Sequence, residues 1–277
     1  MKESEFLMVP ISNLKANQNK PKVIMDLNCD LAQSFGVYKN DIEYSLLPYV
    51  STVNISCGAH AGDPIAIMEA LDTIQNKNIA LCAHIGYPDL QGFGYREMSL
   101  TKDQMESMVL YQLGALSAMA KAHHMDIEYV RPHGALYKQA AENYEVSYYI
   151  ADAIKRFNPW LIYVGASCPE LDAVQEETEV RVAHEFMPEK VYTVEGRIDF
   201  SKAPVYDEEE ILSQVELALH KSSVRNEERS LSSIKCDTIH LNTKSHNALA
   251  IAEKIYGMID EVSPVALNKV SSAGWID

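Results

Sequence analysis

Cysteine is scarce in this 277-residue sequence, and the placing of the five cysteines excludes two kinds of stabilising site. No two of them form a CxxC pair, so neither a zinc knuckle nor a disulfide framework is indicated. Cys29, Cys57 and Cys82 stand in or at the ends of apolar runs, which predicts buried free thiols in a reducing cytosol. The sequence also lacks an apolar run of membrane-spanning length and a secretory signal at its N-terminus, which predicts a cytoplasmic protein.

Positive charge is also in short supply, with 24 lysines and arginines against 39 acidic residues and a formal net charge of −15. Phosphates would be repelled by such a chain, so neither a nucleic acid nor an anionic membrane is expected as a partner. The phosphate-binding patterns GxGxxG and GxxxxGK are absent as well. A hydrophobic fraction of 47% still allows a large core.

Apolar runs alternate with helical patterns along the chain, which predicts a parallel sheet. We predict strands at 23–27, 52–57, 79–83, 128–131, 160–164, 180–183 and 238–241. Helices are expected at 63–77, 101–123, 144–157, 169–177, 207–221 and 246–259. An open doubly wound sheet would normally carry a glycine-rich loop after its first strand, and none is present. The preferred fold is therefore one seven-stranded parallel (β/α) barrel of the TIM-barrel type at 22–262, with an N-terminal extension at 1–21 and a tail at 263–277.

Polar residues gather where the predicted strands end, which is where barrels place their active sites. Alternate residues of a strand share a face, so Asp26, Asn28 and Asp30 are expected to line one side of the barrel mouth. Three histidines follow other strands: His60, His84 and His133. We predict Asp30 and these histidines as catalytic residues, and Asp26, His60 and His84 as ligands of a divalent metal. Imidazoles and carboxylates suit zinc as well as general acid/base catalysis, and the sequence leaves both open.

Five further residues are candidate substrate ligands, each with a simpler structural explanation. Arg96 follows Gly92-Phe93-Gly94 on a loop, where a guanidinium would hold a substrate carboxylate or only be solvated. Asp63 stands directly before a proline and is also expected to cap a helix, while Asp89 is also expected to close a turn. Glu185 is either an acid at the rim or a salt-bridge partner of Lys190. The complete set of candidates is Asn28, Asp63, Asp89, Arg96 and Glu185.

A series of strings in the sequence resembles the family of the 5-oxoprolinase A subunit, also called the lactam utilisation protein B family. The strings are DLNCDL (26–31), LLPYV (46–50), NISCGAHAGDP (54–64), AHIGYPDL (83–90), GFG (92–94), YQLGAL (111–116) and RPHGALY (131–137). The resemblance implies a barrel similar to that of the sugar deacetylases. It implies ATP-dependent opening of 5-oxo-L-proline to L-glutamate together with two partner subunits, which are thought to activate the lactam with ATP. Its site would contain Asp26, Asn28, Asp30, His60, His84 and His133.

The sequence departs from the family pattern at several positions. Gln33 replaces a glutamate, Tyr95 replaces an arginine, and Pro188-Glu189-Lys190 replaces Ala-Asp-Arg. We also expect a His-Gly-Asp at the end of the last strand to be represented by Asn242-Thr243-Lys244, with loss of a histidine. The favoured function is a subunit of the hydrolase. The alternatives are a ligand-binding or partner-binding protein without turnover and a metal-dependent deacylase of another amide.

Overall fold

The barrel is closed by seven parallel strands, and this confirms the predicted fold class. The computed structural model describes residues 22–243 and 247–265. The strands are β1 (Ile24–Leu31), β2 (Thr52–Ser56), β3 (Ala80–Ile85), β4 (Ile127–Pro132), β5 (Ile162–Ala166), β6 (Arg181–Phe186), β7 (Ser223–Arg225), β8 (Leu231–Ser233), β9 (Thr238–His240) and β10 (Glu261–Val262). β1 to β6 pair in order, and β9 closes the ring by pairing with both β6 and β1. β7 and β8 form a separate antiparallel hairpin, and β10 extends the edge of β1.

Helices cover the outside of the barrel, and most begin where the sequence predicts. They are a 3-10 helix (Asp41–Tyr49), α1 (Pro64–Ile74), α2 (Lys102–Ala122), α3 (Gly134–Glu142), α4 (Tyr144–Phe157), α5 (Pro169–Thr178), α6 (Glu208–Lys221) and α7 (Ala248–Gly257). Thr101 and Gln104 form the predicted capping box of α2. The 3-10 helix, α3 and the β7–β8 hairpin were not predicted. α3 is separated from α4 only by Asn143, whose side chain caps α4, so the sequence pattern shows a single helical region there.

Several strands run further toward the barrel mouth than the sequence predicts. β1 continues to Leu31, β3 to Ile85 and β6 to Phe186, so Asp30, His84 and Glu185 all lie within strands. Polar residues at these positions resemble loop residues in a sequence. In the barrel these side chains face the interior and contact other polar side chains there, so the strand continues past them.

The barrel interior has an apolar side and a polar side. Apolar residues of β3 to β6 pack together on the apolar side: Ala80, Cys82, Tyr129, Ile162, Val164 and Ala183. β1, β2 and β9 supply polar side chains to the other half of the interior: Asp26, Asn28, Thr52, Asn54 and Thr238. The larger apolar core lies outside the barrel, between the strands and the helices. The polar side chains named here therefore lie together on the side of the interior formed by β1, β2 and β9.

All five cysteines are free, and all except the half-buried Cys236 are buried, as predicted. No helix in the described part of the chain is long and apolar enough to cross a membrane. The predicted extension at 1–21 lies outside the described residues, as does most of the predicted tail, from 266 to 277.

Candidate active site

A cavity of about 430 Å³ opens at the carboxyl ends of the strands. Asp30, Arg131, His133 and His240 line it near the barrel interior. Aromatic side chains line it nearer the surface, and they come from the β3–α2 loop, α3 and the long β6–α6 connection: Tyr95, Tyr137, Phe200 and Tyr206. Two of the predicted catalytic residues, Asp30 and His133, therefore line the cavity directly.

The carboxylate of Asp30 is the centre of the polar network. Asn54 Nδ2 donates to Oδ1 at 3.1 Å, and Gln33 Nε2 donates to Oδ2 at 3.0 Å. His240 Nε2 lies 3.3 Å from Oδ1, and Arg131 Nη1 lies 3.4 Å from it. Burial alone would raise the pKa of Asp30, but His84, His240 and Arg131 together hold that pKa well below its usual range. Asp30 is thus a permanent carboxylate surrounded by donors.

Arg131 is not among the predicted site residues, and it connects the carboxylates of the site. Its Nε and Nη2 donate to the two oxygens of Glu185 at 2.7 and 2.8 Å, a bidentate pair in which both side chains are buried. Although burial opposes the charge, Glu185 and Asp30 raise the pKa of Arg131 above its usual value. Glu185 is therefore the anchor of Arg131. This corrects its prediction as a substrate ligand, and its bidentate partner is Arg131 where the sequence suggested Lys190.

The contacts of His84 define its protonation. Arg131 Nη1 donates to His84 Nε2 at 2.9 Å, and arginine has no acceptor, so Nε2 carries no proton. The proton of the neutral ring is then on Nδ1, which lies 3.4 Å from Asp30 Oδ1. That contact is electrostatic and not a directed hydrogen bond, because Nδ1 has no hydrogen-bond partner among the described residues. Burial and the charge of Arg131 lower the pKa of His84 well below its usual value, although Asp30 opposes this.

His60 and His133 are stacked, with ring centroids 4.0 Å apart and planes inclined by 9°. His133 stands between β4 and α3, and its Nε2 donates to the Phe93 carbonyl at 2.9 Å. His60 is fully buried, and burial, then His133 and His84, lower its pKa well below the usual value. The stacked pair therefore forms a wall beside the cavity, and the His60 ring in it is neutral.

Glycine is required next to His60 because the ring occupies the space of a side chain. A Cβ added at Gly86 would lie 2.4 Å from His60 Nδ1. We expect Gly86→Ala to displace His60 and lower the free energy of unfolding by about 1–3 kcal/mol, as overpacking does. Gly114 in α2 has open space around its Cβ position, so Gly114→Ala is the matched control and should raise stability by about 0.5–1 kcal/mol. Equal effects of the two variants in urea unfolding would contradict this account of the His60 wall.

The described residues offer one cluster with metal-ligand spacing, and it differs from the predicted set. His60, His84 and His133 have ligand atoms within 4.8 Å of one another, without Asp26. Ring nitrogens bind metals with lone pairs in the ring plane, and the parallel planes of His60 and His133 do not let two such lone pairs converge on one ion. The charge of Arg131 stands against His84 Nε2. This arrangement does not fit the tetrahedral geometry of zinc.

Asp26 lies further down the barrel interior, and hydroxyl groups hold it there. Ser51 and Thr52 donate to its Oδ1 at 2.6 and 2.7 Å, and Thr238 donates to Oδ2. Burial raises the pKa of Asp26 to about 6, although these hydroxyls lower it. The predicted metal-ligand role of Asp26 is thus replaced by a structural one at the closing seam between β1, β2 and β9.

Asn28 belongs to the same hydrogen-bond network. It donates to Thr238 Oγ1 at 2.7 Å and accepts from Asn54 Nδ2 at 2.8 Å. Its amide therefore connects the hydrogen bonds around Asp26 with those around Asp30. Asp26, Asn28 and Asp30 share one face of β1 as predicted, but only Asp30 reaches the cavity. Asn28 supports the site and is not placed as a substrate ligand.

The other three predicted substrate ligands lie away from the cavity. Asp63 caps α1 by accepting from the backbone of Ile65 and Ala66. Asp89 and Arg96 form an ion pair with each other and close the loop between them. These residues therefore shape the loops around the mouth, in keeping with the simpler explanations of their sequence positions.

His240 was not among the predicted site residues, and it corrects one expectation. β9 ends at His240, so the strand end is occupied by His240-Leu241-Asn242 and not by Asn242-Thr243-Lys244. The expected loss of the histidine is therefore wrong, because the last strand of the barrel ends on a histidine. The sequence does contain a signal for this residue, because His240 is the single histidine in the last apolar run. It would have been found by placing the histidine of the family motif two residues earlier, on His240 instead of Asn242.

The fold and its mouth define a (β/α) barrel with a cluster of carboxylate and histidine side chains at the carboxyl ends of its strands. The chain belongs to the LamB/YcsF family, whose model matches residues 25–272. A 5-oxoprolinase A subunit from Bacillus licheniformis is 37% identical over 234 residues, 83% of this chain and 92% of that protein. The same-named protein of Pyrococcus abyssi is 35% identical over 240 residues, 86% of this chain and 94% of its own. These names identify the relatives as parts of a multi-subunit enzyme.

Comparison with solved structures agrees with this family assignment. The lactam utilization protein from Thermus thermophilus superimposes with a TM-score of 0.80 at 32% identity, over 86% of this chain and 98% of that one. A putative cellobiose-phosphate cleavage protein from Enterococcus faecalis has a TM-score of 0.54 at 10% identity, over 88% of this chain and 97% of that one. The second likeness concerns the fold alone.

Proposed function

We propose that this chain is one component of an ATP-dependent 5-oxoprolinase and hydrolyses the ring amide of 5-oxo-L-proline, or of a related lactam, to L-glutamate. The observation that carries the proposal is the buried Asp30 carboxylate with His240 against it, at the inner end of a cavity of about 430 Å³. A cavity of this volume is of the size that small ligands occupy in proteins. The names of the relatives supply the substrate class.

The composition of the site supports a requirement for ATP. General acid/base catalysis by positioned side chains contributes about 10²–10⁴-fold to a rate. Amide bonds resist water strongly, and the histidine cluster does not fit a metal that would polarise the carbonyl. Activation of the amide from another source would add to the contribution of these side chains. Transfer of phosphate from ATP to the lactam at partner subunits supplies it.

ATP itself is not expected to bind to this barrel. The sequence has neither phosphate-loop pattern, and its net charge of −15 repels a nucleotide. We therefore place ATP use at two partner subunits and the ring hydrolysis at the Asp30 cavity, in the cytoplasm.

Two departures from the family pattern argue for a binding protein without turnover: Gln33 and the expected loss of a histidine at Asn242-Thr243-Lys244. The histidine thought to be absent is His240, against Asp30. Gln33 donates to Asp30 Oδ2 at 3.0 Å, so it serves as an additional donor to the central carboxylate. These contacts favour the hydrolase over a binding protein without turnover.

The test is reconstitution with the two partner subunits from the same genome. Glutamate is measured after incubation with 5-oxoproline and ATP, in the full mixture and in mixtures that lack ATP or this chain. We expect glutamate only in the full mixture. Glutamate at the same rate without this chain would refute the proposal, and a full mixture that forms none would refute 5-oxo-L-proline as the substrate.

A further inference from the structure

We infer that Lys138, in the first half of α3, is the residue that binds the carboxylate group of the substrate. The inference rests on the proposed function and names the group by which this chain recognises an acidic lactam. Lys138 is not among the predicted substrate ligands. Arg96, which was predicted to hold such a carboxylate, is paired with Asp89 and does not line the cavity. The substrate carboxylate therefore needs another cation.

The charge of Asp30 sets the orientation of an anionic substrate in the cavity. Asp30 lies at the inner end as a permanent carboxylate. Arg131 does not reverse its effect, because the single positive charge of Arg131 stands against the two carboxylates of Asp30 and Glu185. Like charges repel strongly where water is partly excluded. The carboxylate of 5-oxo-L-proline is therefore expected to point toward the outer part of the cavity, with the ring amide toward Asp30.

Three of the described residues that line the cavity carry a positive charge: Arg131, Lys138 and Lys190. The guanidinium of Arg131 is committed to the protein, because it bonds to both oxygens of Glu185 and the residue is only 4% exposed. The choice is therefore between the two lysines. The surroundings of Lys138 favour it, and Lys190 is the alternative that the experiment has to separate.

Two contacts fix the position of Lys138 at the mouth. The backbone of Ala135 in the first turn of α3 donates to the Gly94 carbonyl at 2.9 Å, so the start of α3 is attached to the β3–α2 loop. Three residues further along both segments, Lys138 Nζ donates to Glu97 Oε1 at 2.8 Å. An ammonium group has three donors, and the bond to Glu97 uses one of them. The others can bond to a substrate carboxylate while Glu97 keeps the side chain in place.

Lys138 is also charged and accessible. Its pKa is raised, first by the hydrogen bond to Glu97 and then by the charge of Glu142. Its side chain is 37% exposed, so a ligand in the cavity can reach the ammonium group without a change in the fold. The ion pair with Glu97 is an exposed one, and exposed pairs contribute little to stability. Substitution of Lys138 should therefore leave the barrel folded.

The test is the binding of 5-oxo-L-proline to the full chain, measured by isothermal titration calorimetry beside 5-oxo-L-prolinamide, which has the same ring without the negative charge. We expect the wild type to bind the acid about tenfold more tightly than the amide, the effect of one hydrogen bond to a charged group. Lys138→Met should abolish this preference, and Lys138→Arg should keep it. Affinity for the amide should change less than threefold in both variants.

Lys102→Met is the matched control. Lys102 Nζ lies 2.7 Å from Asp152 and its side chain is 44% exposed, so it resembles Lys138 in its ion pair and its exposure, but it does not line the cavity. We expect Lys102→Met to keep the preference for the acid. Loss of the preference in Lys190→Met with retention in Lys138→Met would overturn the inference. A wild type that binds the acid no more tightly than the amide, or not at all, would also overturn it.

Glu97→Gln separates substrate binding from a structural role of the ion pair. This variant breaks the pair but leaves the charge of Lys138, and it removes a negative charge from the cavity wall. We expect it to bind 5-oxo-L-proline at least as tightly as the wild type, whereas Lys138→Met binds it more weakly. Equal weakening in the two variants would overturn the inference. A preference for the acid that depends on Lys138, in a complex that forms no glutamate, would support the inference and refute only the proposed reaction.

Discussion

Asp30→Asn in the reconstituted complex is expected to lower kcat about 10⁴-fold, the size of effect found when a histidine loses its orienting carboxylate. Four side chains with nitrogen donors or positive charge face Asp30 Oδ1: Asn54, His84, Arg131 and His240. An amide keeps the shape of the carboxylate but removes its charge, so it no longer attracts the positive charge and the donors around it. Ring opening then loses the negative charge at the inner end of the cavity against which His240 is held.

Asp72→Asn is the matched control, because Asp72 also bonds to a histidine but stands on the surface of α1. We expect it to retain kcat within threefold of the wild type. Circular dichroism and urea unfolding of both variants separate loss of activity from loss of fold. A folded Asp30→Asn variant with wild-type kcat would contradict the assignment of Asp30.

Arg131→Met is expected to lower the free energy of unfolding by about 3–5 kcal/mol. It leaves the buried Glu185 carboxylate without the guanidinium that bonds to both of its oxygens. The desolvation cost of a buried charge is then no longer offset. The double variant Arg131→Met/Glu185→Met removes both charges and should recover most of the lost stability, since apolar replacements of buried pairs are often neutral.

Arg156→Met provides the comparison for Arg131→Met. Arg156 pairs with Glu106, but its side chain is 70% exposed. Exposed pairs contribute at most about 1 kcal/mol, so we expect a change within that limit. Urea unfolding at neutral pH measures all three variants. Similar losses for Arg131→Met and Arg156→Met, or no recovery in the double variant, would contradict the role of the buried pair.

The barrel could be predicted from the sequence because its strands and helices carry strong local patterns. α4 occupies the predicted residues, and Thr101 caps α2 with Gln104 as expected. The 3-10 helix and the β7–β8 hairpin lack such patterns. The hairpin lies in a charged, serine-rich segment where polar composition predicts a loop. Its strands form because they pair with each other, and local propensity does not contain that information.

The candidate site was predictable in its location but only partly in its members. The sequence places Asp30 and His133 at the mouth because each follows or ends an apolar run. It does not show that Arg131 turns inward to join Glu185 and Asp30, because ion pairs between distant strands depend on barrel register. The same limit applies to Asp89 and Arg96. Each looked available for a ligand, and the folded loop joins them to each other.

His240 could not be predicted for a different reason. It stands in a strand of three residues at the seam that closes the barrel, and the family motif was matched two positions too late there. Only the pairing of β9 with β1 shows which of the nearby residues faces Asp30. That correction restores a histidine to the site and removes one of the two departures that argued against the favoured hydrolase function.

Glutamate release by three reconstituted mixtures tests the central claim most directly: one contains the wild-type chain, one contains Asp30→Asn, and one contains the partner subunits alone. All three receive 5-oxoproline and ATP at the same concentrations. The account predicts glutamate at a steady rate with the wild type and the same low background in the other two. Equal glutamate release in all three mixtures would contradict it.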